Sequence, residues 1–284
     1  MTRFITIIIL ITFFSVKTVS QTTYLDSINH NKIDFYKNIN NDSLFFYCDK
    51  LEKSNNICKK IEASTGRAYG FYRLKKYNKT EKISIDVIKQ VDSLLETKNL
   101  TCLIDRKIAA LNRLFWIKKN QEKYEEAYSI LIKYEYEVLN HPIKDQKWIR
   151  NKLGLSLSKA VIKNKLNMQE KAKKILLNII SESKNPILKD VQNNDFFLQW
   201  KANSFNCLGI TYMSINSKQP NKIYLDSADY YFDKAYKVTQ LFNPPHKDSE
   251  IIYSFKKTEV LMARKEFSKA LDLINSYKKI NNGS

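Results

Sequence analysis

Residues that break or bend a helix are scarce in this sequence, which has only five glycines and five prolines in 284 residues. β-Sandwiches and phosphate-binding α/β folds depend on frequent glycine-containing turns. Leu, Ile and Lys are abundant instead, and leucine and lysine favour helices. Hydrophobic residues make up 43% of the chain, which is enough for a substantial core. The composition therefore predicts an all-α protein.

A short signature recurs three times in the second half of the chain. An asparagine precedes a leucine by two positions in Asn112–Phe115, Asn151–Gly154 and Asn206–Gly209. Each signature lies in a stretch with helical periodicity, where apolar residues spaced by three and four share one helix face. The recurrence indicates an internal repeat that has one helix at each signature.

An alanine marks a second helix after each signature. Ala127, Ala172 and Ala228 follow the three signatures, and Ala270 marks a fourth copy that lacks the signature. Two helices that approach closely need a small residue at their contact and a larger residue one turn later. We therefore expect each alanine to lie where the two helices of a pair meet.

A proline follows the first three alanines at a nearly constant distance. Pro142, Pro186 and Pro244 lie 15, 14 and 16 residues after the alanine of their copy. Proline inside a helix loses a backbone hydrogen bond and clashes with the preceding turn. Each proline is therefore predicted to mark the end of a second helix.

These residues resemble the tetratricopeptide repeat (TPR) family, and the third copy matches the family's residue order best. The residues predicted to pack the repeats are Leu114, Ala127, Leu153, Gly154, Ala172, Leu208, Gly209, Tyr212, Ala228, Phe232, Ala235 and Ala270. The resemblance covers residues 101–280 and implies an α-solenoid of about four to six antiparallel helix pairs. The family repeats about every 34 residues, but the alanines here lie 45, 56 and 42 residues apart. Longer helices and an inserted turn at 216–221 are expected to explain the difference.

Residues 1–20 are predicted to be the secretory signal peptide of a bacterial protein. Arg3 supplies a positive start, residues 4–16 are almost wholly apolar, and small residues at 18–20 precede Gln21. An N-terminal membrane anchor is the alternative, but the apolar run is shorter than the roughly 20 residues that span a bilayer. No later stretch of the sequence is apolar and long enough to span one. The chain is therefore expected to be exported, either to the periplasm or as a secreted protein.

The rest of the chain is predicted to form one domain. Residues 21–100 are predicted to be degenerate helical repeats that cap the N-terminal end of the array. Residues 101–284 are predicted to hold the TPR-like repeats. No linker rich in glycine, proline or serine separates the two parts.

The formal net charge of the chain is +19 at pH 7. Such a charge would attract an anionic partner, for example an anionic envelope surface. Export makes nucleic acid a poor candidate for that partner. Alternatively, lysine is simply the common solvated residue of this chain, and the scattered positions of the basic residues favour this interpretation.

Four cysteines follow the predicted cleavage point, namely Cys48, Cys58, Cys102 and Cys207. An oxidising compartment permits disulfide bonds, so the pairing pattern stays open. The spacing of the cysteines matches no metal-binding motif. Four buried cysteines that act as apolar residues are the favoured interpretation.

No pattern in the sequence indicates an active site. His30, His141 and His246 lie far apart, and no His-Glu-x-x-His pair is present. The five glycines form no phosphate-binding loop, no dinucleotide fingerprint and no nucleophile elbow. We therefore predict a protein that is not an enzyme and that binds no metal and no cofactor.

The candidate site is a binding groove that the resemblance to the TPR family implies. In that family the first helices of the pairs line a concave face, which binds an extended peptide or a partner helix. Asn112, Asn151 and Asn206 would occupy equivalent positions on this face, where an amide side chain can bond a peptide backbone. Trp116 and Lys119 would add an aromatic surface and a positive charge. Alternatively, the three asparagines bridge neighbouring helices inside the protein.

The predicted function is binding of a protein or peptide by a non-catalytic, exported scaffold. A second hypothesis belongs to a different class of protein. In it the chain is the sensor half of a truncated or split membrane-anchored TPR regulator of signalling or transcription. A downstream reading frame that encodes a membrane helix would favour this second hypothesis. The sequence does not identify the partner.

Overall fold

The computed structural model describes residues 24–37, 39–98, 100–183, 195–242 and 247–282, and these residues form twelve α-helices and no β-strand. The predicted signal peptide and Pro186, Pro244 and His246 lie outside the described residues. None of the described helices is long and apolar enough to cross a membrane. The helices are α1 (24–36), α2 (Asn41–Glu52), α3 (Ile57–Arg73), α4 (Tyr77–Leu95), α5 (Thr101–Asn120), α6 (Tyr124–Leu139), α7 (Gln146–Lys165), α8 (Gln169–Glu182), α9 (Asp195–Lys218), α10 (Lys222–Thr239), α11 (Lys247–Ala263) and α12 (Phe267–Asn282).

The chain divides into two compact units, unit 1 (Met1–Pro142) and unit 2 (Ile143–Ser284). Unit 1 contains α1 to α6 and unit 2 contains α7 to α12. Within each unit, successive helices pack against each other, so that each unit holds three helix pairs. The odd-numbered helix is the first of each pair, and α3 also contacts α5 as α7 contacts α9. The prediction of an all-α protein of the α-solenoid class, with four to six helix pairs, is confirmed.

In four of these helix pairs, the same type of turn connects the first helix to the second. In α3–α4, α5–α6, α7–α8 and α11–α12, the second residue after the first helix has a φ between 56° and 62°. The N–H of the following residue donates to the carbonyl oxygen five positions earlier, at 2.8–2.9 Å. This Schellman arrangement satisfies carbonyl groups at the helix end. The residues with positive φ are Lys75, Glu122, Asn167 and Lys265.

The turn also fixes the register of the second helix. Five residues after each positive-φ residue, a small side chain is fully buried. This residue is Ala127, Ala172 or Ala270 in three pairs, and it is Thr80 in the pair α3–α4. The pair α3–α4 lies in the region predicted to be degenerate, and it nevertheless has the register of the other pairs.

The pair α9–α10 is built differently, and this difference explains the longest spacing between the alanines. Helix α9 has 24 residues, and α10 begins after Asn221, whose side chain accepts a hydrogen bond from the N–H of Ile223 at 2.9 Å. The turn predicted at 216–221 is therefore too long, because the helix continues to Lys218. A β-carbon added at Gly209 would overlap the ring of Phe232. Glycine at 209 thus permits a close approach of the two helices.

A disulfide bond joins Cys58 and Cys102, whose Cα atoms are 6.0 Å apart. It connects the first turn of α3 to the first turn of α5. The interpretation of four cysteines acting only as buried apolar residues is wrong for this pair, because helix packing brings together segments 44 residues apart in the sequence. Cys48 is buried in the core, where burial raises the pKa of its thiol to about 12.

In the same part of unit 1, the buried carboxylate of Glu62 links α3 to α1 and α5. Glu62 of α3 accepts a hydrogen bond from Nδ1 of His30 on α1, and it lies 3.2 Å from Lys59 and 3.1 Å from Arg106 on α5. Burial acts to raise the pKa of Glu62. The hydrogen bond from His30 and the positive charges outweigh burial and hold this pKa at about 2. The beginnings of α3 and α5 are therefore fixed by both ion pairs and a covalent bond.

Candidate binding site on α3 and α5

An arginine lies against two tyrosines where α3 and α5 meet. The guanidinium carbon of Arg113 on α5 is 4.4 Å from the ring centroid of Tyr69 and 5.0 Å from that of Tyr72, both on α3. The two tyrosines are three residues apart, so they share one side of their helix. Cation–π contacts of this kind orient the planar guanidinium against the rings.

The positive charge of Arg113 has no counter-charge among the described residues. It lies against the two tyrosine rings, and no carboxylate in the described ranges forms an ion pair with it. Burial lowers the pKa of the guanidinium below its ordinary value, although the two tyrosines oppose this effect. Arginine nevertheless stays protonated in proteins. Its N–H groups can therefore donate hydrogen bonds to an acceptor from outside the chain.

Two further polar side chains lie near Arg113, those of Asn112 and Tyr72. The buried Oδ1 of Asn112 accepts no hydrogen bond from any described residue. The hydroxyl of Tyr72 accepts a hydrogen bond from Nδ2 of Asn120 at 3.2 Å, which fixes the ring. Burial raises the pKa of Tyr72, so its hydroxyl keeps the proton and can still donate it.

Trp116 and Lys119 continue the line of Arg113 along α5, because the three residues are spaced by three positions. The half-buried ring of Trp116 packs edge-on against Phe115, with 5.3 Å between the ring centroids. The Nζ of Lys119 is 5.7 Å from the ring centroid of Trp116. An aromatic surface and a second positive charge thus follow Arg113 towards the end of the helix.

Asn112 and Asn151 do not occupy equivalent positions in their repeats. Asn112 lies 10 residues before the positive-φ residue of its turn, whereas Asn151 lies 16 residues before its own. The expectation that they are equivalent is therefore wrong. The first two signatures lie six residues out of register relative to their turns, and the turn rather than the leucine defines the repeat. Asn206 lies in α9, which lacks this turn, and both Asn151 and Asn206 are half-buried in unit 2.

The residues predicted to pack the repeats are nearly all inside the units. Gly154 and Tyr212 are half-buried. The buried members are Leu114, Ala127, Leu153, Ala172, Leu208, Gly209, Ala228, Phe232, Ala235 and Ala270.

Arg113, Tyr69 and Tyr72 were missed by sequence reasoning. Arg113 stands inside the first recurring signature, between Asn112 and Leu114, and its position there carries no mark of function. The spacing of Tyr69 and Tyr72 predicts a shared helix side but not the helix that faces it. Only alignment by the turns would have placed α3 beside α5 in the correct register.

His30 and His141 both lie beside carboxylates in unit 1. His30 contacts Glu62, and Nε2 of His141 is 3.4 Å from Oδ1 of Asp105. No group of three or more His, Cys, Asp or Glu residues in the described ranges is placed to hold a metal ion. That the protein is not an enzyme and binds no metal stays a prediction.

A pocket of about 330 Å³ lies in unit 2 beside the α7–α8 turn and the end of α9. Asn167, Gln169 and Lys218 are among the residues that line it. The Nζ of Lys218 donates to Oε1 of Gln169 at 3.1 Å. Because this charged group already has a partner in the chain, the pocket is a weaker candidate than the surface around Arg113.

The fold and this surface define an all-α protein of TPR-like helix pairs with a candidate binding face on its first helices. No protein-family model and no curated protein matches the chain. The chain is similar to the solved structure of BtubC (BKLC) from P. vanneervenii, with a TM-score of 0.58 and 13% identity over 92% of this chain and 91% of that chain. It is also similar to TTC0263, a thermophilic TPR protein of Thermus thermophilus, with a TM-score of 0.50 and 16% identity over 81% of this chain and 98% of that chain. These similarities show the fold alone, and they support the TPR-like helical repeat.

Proposed function

We propose that this chain is a non-catalytic, exported scaffold that binds a protein or peptide segment carrying a carboxylate. The segment binds to the α3–α5 side of unit 1 with its carboxylate at Arg113. The observation that carries the proposal is the guanidinium of Arg113, which lies against Tyr69 and Tyr72 without a carboxylate partner among the described residues.

The energetic argument rests on the cost of burying a charge. Removing a charged group from water costs free energy unless a counter-charge or hydrogen bonds compensate for the lost hydration. Lys107, also on α5, meets this requirement, because its Nζ is 2.6 Å from both Asp92 and Glu137. Arg113 is partly desolvated without such a carboxylate. A carboxylate from a partner would supply it, in a bidentate pair with two parallel hydrogen bonds.

The surroundings of Arg113 favour a peptide over a small anion. The ring of Trp116 offers apolar contact beside the charged group, and Lys119 adds a second positive charge. Asn151 and Asn206, both in unit 2, are still predicted to contact a ligand.

Selection from a displayed library of random peptides with free C termini tests this proposal. The wild-type chain is expected to enrich acidic or C-terminal carboxylate sequences, and Arg113→Met is expected to lose them. Lys133→Met is the matched control, because it removes one positive charge from an exposed position of α6. Enrichment of the same sequences by wild type and Arg113→Met would exclude Arg113 from the binding site.

Export is proposed on two grounds. The first twenty residues have the composition of a signal peptide. The Cys58–Cys102 disulfide is of a kind that persists outside the reducing cytosol. A reporter phosphatase that is active only outside the cytoplasm, fused after Ser284, should be active, and deletion of residues 1–20 should abolish its activity. Equal activity of the two fusions would contradict export.

Under the sensor hypothesis, the carboxylate-bearing segment would bind to the same α3–α5 side of unit 1. In that case the carboxylate-bearing segment would be the signal, and a membrane-anchored partner polypeptide would transmit it. A downstream reading frame for a membrane helix, together with co-purification of its product, would distinguish a sensor from a scaffold. This second hypothesis stays a prediction from the sequence.

A further inference from the structure

The four positive-φ turns share one geometry, but their charges differ. Counted from two residues before the positive-φ residue to seven residues after it, the α3–α4 turn (73–82) has five basic residues and one acidic residue. The α7–α8 turn (165–174) has four basic residues and one acidic residue. The α5–α6 turn (120–129) has one basic and three acidic residues, and the α11–α12 turn (263–272) has three basic and two acidic residues. Positive charge is therefore concentrated at 73–82 and 165–174, which are named the two basic turns.

The charge of the first basic turn is not neutralised within unit 1. Its one acidic residue, Glu81, already pairs with Lys118 of α5 at 2.7 Å. Arg73 donates to the backbone carbonyl oxygen of Lys37 at 2.7 Å, and the Nζ of Lys37 pairs with Asp34 at 3.1 Å. Four lysines of this turn form no ion pair with a carboxylate of the described ranges, and they are exposed. They are Lys75, Lys76, Lys79 and Lys82.

The second basic turn also has an excess of positive charge. Its one acidic residue, Glu170, pairs with Lys173 at 2.5 Å. Lys171 and Lys174 are exposed, and neither forms an ion pair with a carboxylate in the part of unit 2 that the structure describes. Lys218 of α9 lines the same pocket as Lys171 and adds a further positive charge there. Concentrated like charges repel each other, so an anionic partner at either turn lowers the electrostatic free energy.

An exposed leucine accompanies the charge in both basic turns. The residue just before the positive-φ residue is Leu74 in the first turn and Leu166 in the second, and these side chains are 41% and 38% exposed. The other two turns have Gln121 and Arg264 at this position. Lysine beside an exposed apolar side chain suits the headgroup region of a bilayer, where the lysine reaches phosphates and the apolar group enters the acyl boundary. A soluble polyanion would offer the leucines no apolar contact.

We propose that the two basic turns bind the surface of a bilayer that contains anionic phospholipids. The uncompensated lysines supply the electrostatic attraction to the headgroups, and the leucine of each turn supplies the apolar contact. Each turn acts within its own unit. The proposal is independent of the proposed carboxylate-binding function, because Arg113, Trp116 and Lys119 lie outside both basic turns.

Co-sedimentation with lipid vesicles tests the lysines of this proposal. The chain used is residues 21–284, because the apolar residues 4–16 would themselves enter a bilayer. It should bind vesicles of equal parts phosphatidylglycerol and phosphatidylcholine, less as salt rises, and it should not bind phosphatidylcholine alone. The double variant Lys79→Gln, Lys171→Gln, at equivalent positions of the two basic turns, should bind at least about tenfold more weakly. The matched control Lys133→Gln, Lys237→Gln removes two exposed lysines from α6 and α10 and should bind nearly as wild type does.

The leucines and the wild-type chain give two further readouts. Leu74→Ser, Leu166→Ser should weaken vesicle binding severalfold, whereas the matched control Leu139→Ser, Leu241→Ser should not. Hydrogen exchange of wild type on anionic vesicles should show protection at 73–82 and 165–174 and none at 120–129. Absence of binding to anionic vesicles, or equal loss in both lysine variants, would overturn the proposal. Full competition by soluble polyphosphate, with no effect of the leucine substitutions, would indicate a soluble polyanion and would also overturn it.

Discussion

Unit 1 and unit 2 each contain three helix pairs held by ion pairs and apolar contacts, but among the described residues only unit 1 has a disulfide bond between its helices. In unit 1, α3 and α5 are joined by the Cys58–Cys102 disulfide and by the ion pairs of Glu62. In unit 2, α9 and α10 meet at an apolar contact between Gly209 and Phe232, and Lys257 of α11 pairs with Asp229 and Asp233 of α10. Ion pairs and disulfides respond to pH and redox conditions, whereas an apolar contact depends mainly on volume. Both units thus combine ion pairs with apolar contacts, and the disulfide in unit 1 adds a contact that responds to redox conditions.

The difference matters for the candidate site. The covalent and ionic links fix α3 and α5 where these helices begin, and Arg113 meets Tyr69 and Tyr72 further along the same two helices. Binding groups act best when the elements that carry them are held rigidly. The links in unit 1 therefore position the guanidinium and the rings relative to each other.

The largest effect is expected from Phe232→Ala in unit 2. Removal of a fully buried aromatic ring from its contact with Gly209 should lower the free energy of unfolding by about 3–5 kcal/mol. Hydrogen exchange should show the loss in unit 2 and not in unit 1. The neighbouring Tyr230→Ala, at an exposed position, serves as the control and should cost less than about 1 kcal/mol. An equal loss for both variants would contradict the importance of the apolar contact.

Removal of the disulfide should destabilise unit 1. The double variant Cys58→Ser, Cys102→Ser releases a loop of 44 residues, and the chain-entropy relation gives about 4 kcal/mol for a loop of this length. Hydrogen exchange should show the loss in unit 1 alone. A reductant should reproduce the effect in wild type and should have no further effect on the variant. A reductant-insensitive wild type would show that the bond does not form in solution.

Unit 1 should also lose stability in acid through Glu62. Its pKa falls from 4.5 to about 2 on folding, so its contribution is fully present above pH 4.5 and is lost as the pH falls towards 2. The loss amounts to about 3 kcal/mol at most. Chemical unfolding from pH 5 to pH 2 should show a smaller pH dependence for Glu62→Gln than for wild type. An unchanged pH dependence would mean that Glu62 is not paired as described.

The smallest effect concerns a feature that both units share, the positive-φ turn. Glu122→Gly in unit 1 and Lys265→Gly in unit 2 should each raise the free energy of unfolding by up to about 1 kcal/mol, because glycine adopts this conformation without steric cost. Asn167→Gly is the control and should change it less, since asparagine tolerates positive φ. Urea unfolding measures all three variants. Destabilisation by both glycine substitutions would contradict the turn geometry.

Helix pairing was predictable from the sequence because it follows from local patterns. The alanines Ala127, Ala172 and Ala270 lie at the same distance after their turns, and Pro142 follows the end of α6. These residues act through helix geometry, which depends on neighbours three and four positions away. Thr80 takes the place of alanine in α4, and that substitution hid the register of the earlier pair.

The turns, the disulfide and the site were not predictable for a different reason. Three of the four positive-φ residues are lysine or glutamate, which carry no turn signal. The Cys58–Cys102 bond and the contacts of Arg113 depend on how α3 lies beside α5. Such contacts between distant segments follow from the repeat register, and the signatures at Asn112 and Asn151 predict a register that differs by six residues from the one the turns define.

The most direct test of the central claim is a double-mutant cycle between Arg113 and the carboxylate of a selected peptide. Isothermal titration would compare wild type and Arg113→Met, each with the acidic peptide and with its neutral amide counterpart. We expect a coupling free energy of at least about 1.5 kcal/mol, typical of a close charge pair. A coupling free energy near zero, with binding intact, would show that Arg113 does not receive the carboxylate.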